Sequence, residues 1–217
     1  MHDTSFNIPC LEKGSEDYKL LCGAVNLISR VVPLIFEEKE FFMRSMWHEQ
    51  AFFNNQINSI KLMESISMLL FKPGFTIAPL EDDYEPSVSG IDDQLVWKSG
   101  ISIMEARNHY HSQYDPNRIS LIRLMIVLLS QPLFHAPDEY LVILNPFSTY
   151  LTNRRCKNVK NLFVSLVNFV VSYDCAGYVS TNARFSKCFL LDPLTDIFCL
   201  LLRVGYPVHQ RYRSDRR

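Results

Sequence analysis

His109-Tyr110-His111 is the one close pair of imidazoles in the chain; His48 or Asp115 could add ligands to a metal shared by them, and Asp115 with Cys175 could complete a small enzyme site. On a helix, residues two apart point to different faces, so an ion shared by His109 and His111 would need extended geometry and further ligands. The plainer expectation is two solvent-facing or capping histidines. Cys175 and Cys188 could act as nucleophiles only beside a base in space, and buried structural thiols are the expected reading. The acidic run from Glu81 to Glu85 lacks the alternating ligands and central glycine of a calcium loop and reads as a solvated surface loop. No G-x-x-x-x-G-K, G-x-G-x-x-G, G-x-S-x-G or H-E-x-x-H occurs, so the common phosphate, dinucleotide and hydrolase signatures are missing. We therefore assign no catalytic, cofactor-binding or metal-ligating residue. A small enzyme built from His109, His111, Asp115 and Cys175 is the alternative, and nothing in it supplies the paired roles of nucleophile, base and orienting group.

Charge gives little direction to partners. Lys and Arg number 22 against 23 Asp and Glu, which predicts neither a nucleic-acid partner nor an acidic ligand. Arg154, Arg155, Lys157 and Lys160 form a modest basic patch, read as a solvated face with a contact for acidic lipid heads or a partner as the alternative. Residues 207–217 end in a basic tail, Arg211-Tyr212-Arg213-Ser214-Asp215-Arg216-Arg217, expected to be disordered.

The elements that position these residues are helical. The chain has 217 residues, 47% of them hydrophobic, enough for one sizeable core, and only 7 are glycine, fewer than all-β or nucleotide-binding folds usually use. Its 6 cysteines form no C-x-x-C pair and most sit among apolar residues, read as reduced core thiols with disulfides as the alternative. The longest unbroken apolar runs, Leu124 to Leu129 and Ile197 to Leu202, are about a third of a bilayer span, so no transmembrane segment is expected. No secretory signal is expected from the polar start, Met1 to Cys10.

Helical spacing runs from Asp17 to Arg30, with Ser15 and Glu16 before it as a cap, and Pro33 predicts a break between that helix and a second one reaching Trp47. A third pattern covers Asn55 to Phe71 and stops at Lys72-Pro73-Gly74. Asp92 and Asp93 predict a helix start before Leu95, and Asp115-Pro116-Asn117 starts a helix that is apolar on nearly every face and hence buried. Asn145-Pro146 restarts structure, Asn158 to Tyr173 shows a wide apolar stripe, and Pro193 to Val204 makes the last helix. The expectation is an all-α fold of about eight or nine helices in an irregular armadillo- or HEAT-like array, with a closed helical bundle as the alternative and sequential helices packed as hairpins. Residues 1–16 form a flexible N-terminal segment and 17–206 a single α-helical domain.

Several blocks, in one order across Lys19 to Leu202, resemble the high-temperature-induced dauer-forming protein family, whose broader relatives include dymeclin. They are Ser29-Arg30-Val31-Val32-Pro33-Leu34-Ile35-Phe36-Glu37; Leu69-Leu70-Phe71-Lys72-Pro73-Gly74-Phe75-Thr76; Val96-Trp97-Lys98-Ser99-Gly100-Ile101; Asn117-Arg118 with the helix after it; Asn145-Pro146-Phe147; and Tyr173-Asp174-Cys175-Ala176-Gly177-Tyr178. The resemblance implies a non-enzymatic protein, peripheral to Golgi membranes on the cytoplasmic side. It would act in secretory trafficking and granule sorting, with protein trafficking partners and the Golgi surface as its contacts and no small-molecule substrate or cofactor. Family members are much longer, so the resemblance also implies an N-terminal portion of a longer array, and a helical domain without independent function is the alternative. Members commonly carry a glycine after the initiator methionine as a lipid attachment signal, where this chain has His2.

Overall fold

Ser15 accepts a hydrogen bond from the Tyr18 amide at 3.2 Å and so opens α1, Glu16–Glu37, the longest helix among the described residues. A computed structural model describes residues 11, 13–38, 58–79, 91–100, 111–136, 145–152, 156 and 158–171. The helix expected to reach Trp47, the one from Pro193 to Val204, the Tyr173-to-Tyr178 turn and the tail 207–217 lie outside them.

Pro33 does not break the helix: α1 runs through it without interruption. An interior proline costs roughly 3 kcal/mol. Val32 and Phe36, on either side of it, are 3% and 2% exposed, and full burial of such side chains is worth about 1.5–3 kcal/mol each. Burial offsets the lost donor, and the chain stays helical to Glu37.

Four further helices follow: α2, Asn58–Leu69; α3, Asp115–Leu129; α4, Pro146–Leu151; and α5, Val159–Val171, with short 3-10 turns at Ser112–Tyr114 and Gln131–Phe134. Among the described residues there is no strand, only an isolated bridge between Pro73 and Ile77, so the fold is all-α as expected. Helix α3 is the axis. Leu121, Ile122, Leu124, Met125, Leu128 and Leu129 are all buried, and α1, α2 and α4 pack around it. The packing does not follow chain order: among the described helices α1 lies chiefly on α3, and α2 chiefly on α4. A helix that is apolar all round can accept several neighbours, and α3 holds α1, α2 and α4 in this way; the expected pairing of sequential helices as hairpins involves 39–57, 101–110 and 137–144, which lie outside the described residues.

The segment from Asp92 to Val96 is a turn, where the acidic pair predicted a helix start. Leu95 and Val96 amides both donate to the Asp92 carbonyl, but the next amide, of Trp97, leaves the helical pattern and donates to Ser165 Oγ at 3.2 Å. The Asp92 carboxylate accepts from the Gln94 amide at 3.0 Å, a local bond that competes with helix continuation.

Two ends are stitched by one side chain. Asn145 Oδ1 accepts from the Phe147 and Ser148 amides as the cap of α4, while its Nδ2 donates to the Leu128 and Leu129 carbonyls at the end of α3. Donors at one helix start and acceptors at another helix end are satisfied together.

Two apolar stripes differ from expectation. On α1, Leu20 is 75% and Leu27 63% exposed; on α5, Phe163, Val170 and Val171 are exposed while Leu162, Leu166 and Phe169 are buried. By length and composition α1, with a mean hydropathy of 1.6, is apolar enough to cross a membrane, because it carries a buried face and an apolar outer face at once.

Candidate functional site

Arg118 stands in the first turn of α3 with 2% of its surface exposed, at the meeting point of three separate pieces of sequence. Its Nη1 donates to Asp115 Oδ1 at 2.9 Å and its Nε to the Thr76 carbonyl at 2.8 Å. The guanidinium carbon lies 5.4 Å from the centre of the Trp97 ring and 6.0 Å from that of Tyr114. Nη1 also reaches the His111 carbonyl at 3.5 Å, the long limit of a hydrogen bond. A buried cation costs several kcal/mol in lost hydration, and here a carboxylate, a carbonyl and two ring faces replace the water.

The neighbour Asn117 completes the junction. Its Nδ2 donates to the Phe75 carbonyl at 2.7 Å and to Tyr18 Oη at 2.8 Å, which ties the 72–77 loop and α1 to the start of α3. Within that loop Thr76 Oγ1 donates to the Leu69 carbonyl at 2.8 Å and accepts from the Lys72 amide at 3.1 Å. Gly74 turns the chain with φ of +77°, a left-handed conformation that costs a side chain about 1–2 kcal/mol.

A polar row on α5 holds the 91–100 segment from the other side. Asn161 Oδ1 accepts from the Asp92 amide at 2.8 Å, Ser165 Oγ accepts from the Trp97 amide, and Asn168 Nδ2 donates to the Lys98 carbonyl at 2.7 Å. The three lie at intervals of four and three along the helix, so they form one ladder. A side chain at Gly100 would run into Asn168, which explains a glycine at this close approach. Trp97 Nε1 donates to the Leu70 carbonyl at 3.0 Å and its ring packs against Phe71 and Phe169.

Of the residues singled out from sequence, His111 and Asp115 are brought together, and both serve Arg118. Asp115 is 2% exposed and bound to the guanidinium, while His111 contributes its carbonyl and sets its ring edge-on to Tyr114 at 6.3 Å. His48, His109, Cys175, Cys188, Arg154, Arg155, Lys157 and the run from Glu81 to Glu85 lie outside the described residues; Lys160 is exposed on α5. Among the described residues no three His, Cys, Asp or Glu side chains cluster closely enough to hold a metal.

The described cysteines, Cys22 and Cys156, are free thiols. Burial pushes both thiols up, and a protonated thiol is a poor nucleophile; Cys156 Sγ lies 3.9 Å from Ser67 Oγ. The cavity beside Cys156, lined by Met63, Ser67 and Leu162 among others, measures about 10 Å³, at the lower limit for a single water. It is no ligand pocket. The junction is thus a fastening, with its donors spent on carbonyls and its charge on one internal carboxylate. Sequence marked Asn117-Arg118 as a block without assigning it a role; the available signal was a cation and an amide in the first turn of an otherwise apolar helix.

Comparison with known proteins covers the stretch that holds this junction. The family model described as high-temperature-induced dauer-formation protein matches residues 4–193. Protein HID1 of Mus musculus is 26% identical over 179 residues, covering 75% of this chain and 22% of its own, and Protein HID1 of Homo sapiens is 25% identical with the same coverage. The Ubp5-interacting protein ftp105 of Schizosaccharomyces pombe is 27% identical over 121 residues, 55% of this chain and 12% of its own. The chain spans about a fifth of the length of the mouse and human relatives. No solved structure matches it.

Proposed function

This chain belongs to the high-temperature-induced dauer-formation protein family, and from that footing we propose that it works as a non-enzymatic helical scaffold of the secretory pathway. It is held peripherally on the cytoplasmic face of the Golgi, where it recruits proteins that sort cargo into secretory granules. The observation that carries this reading is that the family's blocks interlock: the 72–76 turn, Trp97, Asn117-Arg118 and Asn145 spend their polar groups on one another and on backbone. Residues kept for reactivity face a cleft, whereas these hold helices in register, as a binding platform requires. One relative is named for an interaction with another protein, which fits a role in recruitment.

Imaging the tagged chain against a Golgi marker, together with membrane fractionation, tests the proposal. Co-localisation and recovery in the membrane fraction are expected; a uniformly diffuse signal with no membrane recovery overturns it.

A further inference from the structure

Leu20, Ala24, Leu27, Val31 and Leu34 follow one another along α1 at alternating intervals of four and three residues, the register of a coiled-coil seam. They lie on the outer face: Leu20 is 75%, Leu27 63%, Val31 39% and Leu34 62% exposed, while Val25, Val32 and Phe36 bury the opposite side in the core. The seam runs into Asp17 at one end, and at the other the helix closes on Glu37 and its non-helical cap Glu38, all three exposed. An apolar ridge of about 21 Å, at 1.5 Å per residue, therefore ends in an acid on each side.

The geometry points to this face as the docking site for a partner's amphipathic α-helix that presents a leucine- or valine-rich ridge with lysine or arginine at both ends. The narrow 3.5-residue period fits a helix, since a lipid surface asks for a broader apolar face with basic flanks. Charge decides between the remaining occupants. Across α1 and its caps four acids, Glu16, Asp17, Glu37 and Glu38, face two bases, Lys19 and Arg30, which repels an anionic membrane. A second copy is also disfavoured: antiparallel α1 helices that overlap the whole ridge set Asp17 against Glu38 at both ends, and parallel ones set each acid on its like. A basic-ended helix meets neither penalty. This inference names the kind of partner for the recruitment role proposed above and rests on it.

The test uses the whole chain and a fluorescent helical peptide of about 21 residues with leucine at alternating three- and four-residue intervals and two lysines at each end. Micromolar binding by anisotropy is expected, at least tenfold weaker for Leu27→Glu and for the same peptide ended in glutamate. The double variant Asp17→Lys, Glu38→Lys keeps the apolar ridge and should reverse the preference between the two peptides. Equal affinity for both peptides, unaltered binding by Leu27→Glu, or no binding overturns the inference. So does a ridge-dependent dimer in sedimentation, or ridge-dependent pelleting with phosphatidylserine vesicles in place of peptide binding. Circular dichroism confirms that the variants stay folded. Golgi imaging reports on the cellular role separately, so lost peptide binding with intact Golgi signal removes the docking site alone, and the converse removes only the location.

Discussion

Arg118 Nη1 donates to Asp115 Oδ1 at 2.9 Å within a single turn of helix, and 3% and 2% of the two side chains remain exposed. The pair sits where the 72–77 loop, the 91–100 segment and α3 converge, so its loss is felt in three places. Arg118→Ala leaves the Asp115 carboxylate buried without its cation, and breaking a buried pair in this way costs about 3–5 kcal/mol. Arg118→Lys should recover little, because an ammonium cannot bind Asp115 and the Thr76 carbonyl in one plane while facing the Trp97 ring. Urea titration of the three proteins checks both statements, and a lysine variant as stable as the parent would show the pair acts as a simple charge contact.

Two glycines predict opposite signs for one substitution. Gly100→Ala drives a methyl group into Asn168, whose amide holds the Lys98 carbonyl, and should cost about 1–3 kcal/mol. Gly23→Ala, inside α1 with nothing within 4 Å of a new Cβ, should gain roughly 0.5–1 kcal/mol. Thermal melts of the two variants should shift in opposite directions.

How far the sequence was legible follows from what each residue touches. The buried character of α3 could be read, because an apolar residue on every face leaves no other option, and the caps at Ser15 and Asn145 could be read because capping is local. Pro33 misled, since its local penalty is outweighed by the burial of Val32 and Phe36 against partners far along the chain. Asp92 and Asp93 misled for a related reason: the bonds that keep this segment out of a helix come from Asn161, Ser165 and Asn168, some seventy residues away. The outer face of α1 was hidden because a helix with two apolar stripes shows the same periodicity as one with a wide core face. Arg118 and Asn117 could be recognised as a block, but their function as fasteners depends on loops that only the folded chain brings together.

Pro33 also makes a prediction about stability. It lies half-buried inside α1, where alanine would restore a main-chain donor and relieve the crowding of the preceding turn. Pro33→Ala should therefore stabilise the protein by about 1 kcal/mol or more after some packing is lost. A chemical-denaturation midpoint that falls instead would mean the packing of the half-buried ring outweighs the helix penalty.

The Cys156 thiol and the neighbouring Tyr150 phenol predict a loss of stability at alkaline pH. Burial raises Cys156 above its ordinary value of 9.0, and burial together with the nearby Cys156 and Glu64 pushes Tyr150 from 10.0 up to about 12. Both groups are neutral when protonated, so the folded state holds its proton over a pH range in which the unfolded chain has released it. Stability is then fully present below about pH 8, falls as pH rises through the unfolded thiol value, and falls further between pH 10 and 12 as the tyrosine follows. Free energies of unfolding from urea titrations at pH 7, 9 and 10.5 should decline in that order. Cys156→Ala should flatten the first part of the decline and, because Cys156 is one of the groups that raise Tyr150, shrink the tyrosine part without abolishing it, since burial is the larger cause. An unchanged slope in that variant would assign the alkaline loss to other groups, and slow alkylation of Cys156 by iodoacetamide in the native protein at pH 8, faster after unfolding, gives an independent check on the same protonated thiol.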